Sequence, residues 1–159
     1  MMISENMRLV MAEINAVVEL GFSGEENLIR ALTESTVVVT FGAGRVGLSA
    51  AAFAKRLVHL GKRAYWLNDH TVPRTGPGDL MLVASGSGRT ATVLASAAKA
   101  KESGLRIALV TAHPGSPLAR MADFPVILGG PSTDDPQSRW ISEQPMTSLF
   151  EQVAFLFFD

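Results

Sequence analysis

The chain contains no cysteine, which excludes disulfides and thiolate chemistry. Its three histidines are scattered and show no metal-ligand spacing, so no metal site is expected. Neither sign of charge is in excess. Fourteen Lys and Arg against fifteen Asp and Glu leave a net charge of −1, which argues against nucleic acid or an anionic membrane as the main partner. No apolar run approaches the roughly 20 residues of a membrane span. The stretch Met1 to Ile14 is too acidic and too interrupted for a signal peptide, so the expected location is the cytoplasm. Charge is scarce altogether: 18% of 159 residues, against 47% hydrophobic. That ratio is rich for a small monomer and predicts apolar surface covered by other subunits.

What is present alternates between two periods. Met7, Val10, Met11, Ile14, Val17 and Val18 recur at helical spacing, and Gly21 ends that helix. Ser23 with Glu26 reads as a capping box for a second helix through Leu32, giving N-terminal helices over 3–34. From there, near-continuous apolar strands at 36–41, 64–67, 80–84, 105–111 and 125–128 alternate with helices at 47–60, 90–103 and 116–122. A last helix starts near Met146. The pattern predicts one α/β domain over 1–159, with its core at 36–128 and a loop and C-terminal helix at 129–159. Its five-stranded parallel sheet carries helices on both faces. The segment Gly129 to Pro145 is long for a structureless connection, and such loops tend to carry function or disorder.

Ligands of open parallel sheets sit at the carboxyl ends of the strands. Two glycine-rich turns fall there. The richer is Ser85-Gly86-Ser87-Gly88-Arg89-Thr90, between a buried strand and an alanine-rich helix. Three hydroxyls, two glycines and a helix N-terminus crowd donors around one small volume, which suits a phosphate monoester. Arg89 is expected to point into water. The other turn, Gly42-Ala43-Gly44-Arg45-Val46-Gly47, matches GxGxxG, and Asp69 follows the second strand where a ribose-binding acid would stand. A nicotinamide-dinucleotide domain is therefore a rival, although Asp69 comes late and the chain has no room for a substrate domain. Arg45 either helps hold an anion or is a solvated helix-start residue.

Two further residues bear on chemistry. In the last helix, Leu149, Val153 and Leu156 read as the buried stripe, and Glu151 falls off it. Glu151 is then either a surface glutamate or a base at the site. His59 closes the helix that begins at the first glycine turn, roughly 20 Å from Arg45 at about 1.5 Å per residue. It serves catalysis only if its site is completed by another subunit. Val153 to Asp159 reads as an apolar helix with no C-cap, expected to be buried at an interface or to continue.

These motifs resemble the sugar isomerase (SIS) domain family, a flavodoxin-like three-layer α/β fold that binds phosphosugars. The loop at 85–90 is that family's hallmark. Gly42-Ala43-Gly44-Arg45, Arg56-Leu57-Val58-His59-Leu60-Gly61, Ser116-Pro117-Leu118-Ala119, Gln144-Pro145-Met146 and Leu149-Phe150-Glu151-Gln152 together resemble its 6-phospho-3-hexuloisomerase branch. The resemblance runs over nearly the whole chain.

It implies interconversion of 3-hexulose 6-phosphate and fructose 6-phosphate through an enediolate, in the ribulose monophosphate route, without a cofactor. It implies that Ser85, Gly86, Ser87 and Thr90, with Gly44 and Arg45, bind the substrate. It assigns Glu151 as base and His59 to the active site, in tetramers whose sites draw on neighbouring subunits. The chain departs from the family at Val46 (usually serine), Arg89 (often glutamate), Asp69 (glutamate) and Thr147 (glycine), and the family's final helix would lie past Asp159. A non-catalytic or divergent SIS sugar-phosphate-binding protein is the alternative.

Overall fold

Six strands in the order β1-β6-β5-β4-β2-β3 make the single sheet of the computed structural model, which describes residues 2–129, 142–146 and 148–159. In chain order the elements are α1 (Ile3–Glu19), β1 (Phe22–Ser23), α2 (Glu25–Glu34), β2 (Val37–Gly42), α3 (Gly44–His59), β3 (Arg63–Trp66), β4 (Leu80–Ala84), α4 (Ala91–Glu102), β5 (Arg106–Thr111), α5 (Pro117–Met121), β6 (Phe124–Leu128) and α6 (Ser148–Phe158). Most of the expected 129–145 connection, residues 130–141, lies outside the described residues, as does Thr147.

The five parallel strands are those expected. Among themselves they run second-first-third-fourth-fifth, the flavodoxin-like winding. Period-two alternation divides the core. Leu80, Leu82 and Ala84 face one way with Val38, Ala108 and Val110, under α1, α2, α3 and α6. Met81 and Val83 face the other way with Ile107 and Leu109, under α4 and α5. These side chains are buried, and each Val, Leu, Ile or Met among them contributes roughly 1.5–3 kcal/mol.

Three expectations are corrected. The sheet has six strands, not five: β1 pairs antiparallel with β6, Phe22 opposite Leu128 and Ser23 opposite Ile127. Two residues leave no periodic signature, yet they cover the edge that β6 would otherwise expose. Ser23 is drawn into that pairing and does not cap α2. Gly24, at φ +93, is the N-cap and makes no side-chain cap hydrogen bond. In α6, Leu156 is 56% exposed and not part of the buried stripe. The buried face is Leu149, Phe150, Val153, Ala154 and Phe158, because Phe158 stacks on Phe53 of α3 and turns the helix that way.

Candidate functional site

The winding reverses between β2 and β4, and the crevice outside their carboxyl ends is where such sheets bind ligands. Both glycine-rich turns open into it. At the exit of β4 the backbone doubles back tightly. Gly88 N–H reaches Ser85 O and Ser85 Oγ, both at 3.2 Å, and Arg89 N–H reaches Ser87 Oγ at 3.3 Å. Gly88 has φ +60, and a Cβ there would stand 2.1 Å from the Oγ of buried Ser116, so only glycine fits. Ser116 caps α5 by accepting from Ala119 N–H at 3.1 Å. Thr111 Oγ1 and Ala112 N–H both donate to Gly86 O, at 3.0 and 3.2 Å, tying the loop to β5.

Within this loop the hydroxyls divide. Ser85 is 3% exposed and its oxygen serves the loop's own backbone. Ser87 and Thr90 are half-buried. Thr90 stands at the N-cap of α4 without a side-chain cap bond, so its hydroxyl does not occupy the helix's first amides. Arg89 is exposed, as expected.

Across the crevice, α6 meets the loop at Gly86. Phe150 packs on Gly86, where an added Cβ would lie 3.0 Å from the ring's Cδ1. The next residue, Glu151, meets the first turn of α3. Its Oε2 lies 2.9 Å from Arg45 Nη1, and its side chain is 17% exposed against 64% for Arg45. Arg45 Nη1 also donates to Ser148 Oγ at 3.2 Å. With one partner this exposed, the pair contributes at most about 1 kcal/mol to stability; its effect is to hold the carboxylate in place. Arg45, Glu151, Gln152 and Ser49 border a groove of about 500 Å³ between α1, α3 and α6.

The structure thus brings together Gly44, Arg45 and Glu151, and packs α6 on the Ser85–Thr90 loop at Gly86. It does not bring His59 to them. His59 is exposed at the far end of α3, about 22 Å along the helix from Gly44. Asp69 is exposed in the loop after β3 and closes its own turn. It accepts from Thr71 N–H at 3.0 Å and Thr71 Oγ1 at 2.9 Å, bonds that lower its carboxyl below the usual aspartate range.

Two residues at the site escaped the sequence reading. Ser148 carries the Arg45 contact; a serine one turn after a proline gives no signal of that. Glu13 of α1 accepts hydrogen bonds from Ser142, Glu143 and Gln144. In sequence it is one more glutamate on a helix.

The SIS domain profile matches residues 31–155. A 3-hexulose-6-phosphate isomerase of Mycobacterium gastri is 46% identical over 129 residues, covering 81% of this chain and 64% of that protein. One from Bacillus subtilis is 38% identical over 128 residues, covering 80% and 69%. The chain therefore spans about two thirds of the length of these relatives. Among solved structures, a Methanococcus jannaschii protein with an inferred function of 3-hexulose-6-phosphate isomerase superposes with a TM-score of 0.78 at 28% identity, covering 97% of this chain and 85% of that one.

Proposed function

This chain belongs to the SIS domain family, and we propose that it is a ketose-phosphate isomerase interconverting 3-hexulose 6-phosphate and fructose 6-phosphate. The observation that carries this reading is the placement of one half-buried carboxylate, Glu151, on a helix packed directly against the hydroxyl-lined loop. The relatives named for this reaction support the substrate class.

In the proposed mechanism the Ser85–Thr90 loop binds the phosphate through Ser87, Thr90 and backbone amides, and this remote binding fixes the reacting carbons. The Glu151 carboxylate removes the proton from C2 and a cis-enediolate forms. The same group returns the proton at C3, while a proton passes from O2 to O3. The carbonyl has then moved from C3 to C2 with no net change in atoms or electrons. One base on one face of the intermediate is sufficient. Arg45, beside Glu151, adds positive charge where the enediolate develops.

His59 lies too far away to act in its own chain's crevice. Its proposed role is in a neighbouring subunit's site, within a cytoplasmic homo-oligomer, a tetramer as the family resemblance implies.

A thermal-shift comparison of fructose 6-phosphate with NAD tests the ligand class. A ligand at 100 times its Kd adds about 2.7 kcal/mol of stability, a shift of several degrees for a chain of this size. The proposal expects that shift with fructose 6-phosphate and none with NAD. The reverse would favour the dinucleotide reading of the 42–47 turn.

A further inference from the structure

Glu13 lies on α1, outside the residues 31–155 that the family profile matches. Its carboxylate gathers three donors from a stretch 129 to 131 residues away in sequence. Ser142 Oγ and Gln144 Nε2 both donate to Oε2, and Glu143 N–H donates to Oε1, each at 2.7 Å. Gln144 N–H in turn donates to Ser142 Oγ at 3.0 Å. Only an ionised carboxylate accepts all three. A glutamine at position 13 would offer one oxygen and turn an NH2 against the remaining donors. Burial acts to raise this carboxyl, but the bonds from Gln144, Ser142 and Glu143 outweigh it and hold it below the usual glutamate range.

The anchored stretch leads into a turn that needs holding. Met146 has φ +54, in the left-handed region, and its side chain is 87% exposed, so packing does little to keep it there. Glu13 fixes the flank before it. On the flank after it, Ser148 Oγ donates to Pro145 O at 2.8 Å and accepts from Arg45 Nη1 at 3.2 Å. The same Nη1 pairs with Glu151 at 2.9 Å. Polar contacts on the two sides of the turn therefore run from α1 to the candidate base. Val10, Met11 and Ile14 of α1 line the same groove as Glu151, so this helix is already a wall of the site.

We propose that Glu13 is a positioning residue: it clamps the 142–146 turn to α1 and so sets where α6 begins and where the Glu151 carboxylate stands. This rests on the reading of Glu151 as the base.

The test uses the full chain and four proteins: wild type, Glu13→Gln, Gln144→Leu, and the double variant Glu13→Gln with Gln144→Glu. Each is read by kcat and KM for the ketose 6-phosphate and by hydrogen exchange of residues 142–150. Glu13→Gln is expected to lower kcat about ten- to a hundredfold, the cost of a misplaced reacting group, with KM changed less than about twofold because the phosphate loop is untouched. Exchange over 142–150 should quicken while the sheet stays protected. Gln144→Leu should move both readouts the same way, less far. The double variant restores one carboxylate–amide pair with the roles exchanged, and should recover part of the loss.

Unchanged kcat and unchanged exchange in Glu13→Gln would overturn the proposal. So would a loss of kcat with exchange over 142–150 as in wild type, since Glu13 would then act by another route. A wild-type chain without isomerase activity, whose Glu13→Gln variant still exchanges faster over 142–150, would sink the reading of Glu151 and leave the clamp standing.

Discussion

Phe150 lies against Gly86 so closely that a Cβ on the glycine would stand 3.0 Å from the ring's Cδ1 and 3.2 Å from Cγ. That contact joins the helix carrying the candidate base to the loop carrying the candidate phosphate site. Gly86→Ala must push the ring outward. Overpacking of this kind costs about 1–3 kcal/mol, so the urea midpoint should fall, and turnover should fall with it as Glu151 is displaced. Unchanged stability and unchanged turnover would show that the two elements are not coupled through this pair.

The phosphate loop is tested separately from the base. Ser87→Ala combined with Thr90→Ala removes the two half-buried hydroxyls and leaves Ser85 to hold the loop's backbone. KM for fructose 6-phosphate should rise by about tenfold or more, with kcat changed far less. Steady-state kinetics decide it, and a double variant of normal affinity would place the phosphate elsewhere.

Glu13 predicts an acid-sensitive component of stability. Its folded-state carboxyl is held below the usual value, so it stabilises the fold above the unfolded-state value near 4.5. That contribution is lost as pH falls through the lower folded-state value. The difference in Tm between wild type and Glu13→Gln should therefore be largest near neutral pH and shrink toward pH 3. A gap independent of pH would mean that the charge of Glu13 is not what holds residues 142–144.

Much of this was legible in the chain. The five parallel strands announce themselves as apolar runs because both of their faces are buried, as in Leu80 to Ala84, where every residue is inaccessible. The glycines of the 85–90 loop announce a tight turn as well, although the Ser116 side chain that leaves Gly88 no room for a Cβ does not show in the sequence. The misses share a cause: they depend on contacts distant in sequence. β1 exists only because β6 offers an edge. Leu156 is exposed because the stacking of Phe158 on Phe53 decides which face of α6 is buried. The link of Glu13 to Ser142, Glu143 and Gln144 spans about 130 positions and has no local pattern to betray it.

The central claim is that the carboxylate beside Arg45 moves a proton on a ketose held by the 85–90 loop. A coupled assay that follows fructose 6-phosphate formation from enzymatically made 3-hexulose 6-phosphate, with wild type and Glu151→Gln, tests it most directly. Wild type should form fructose 6-phosphate. Glu151→Gln should be slower by about two or more orders of magnitude while binding fructose 6-phosphate with wild-type affinity. Equal rates for the two proteins, or no product from either, would contradict it.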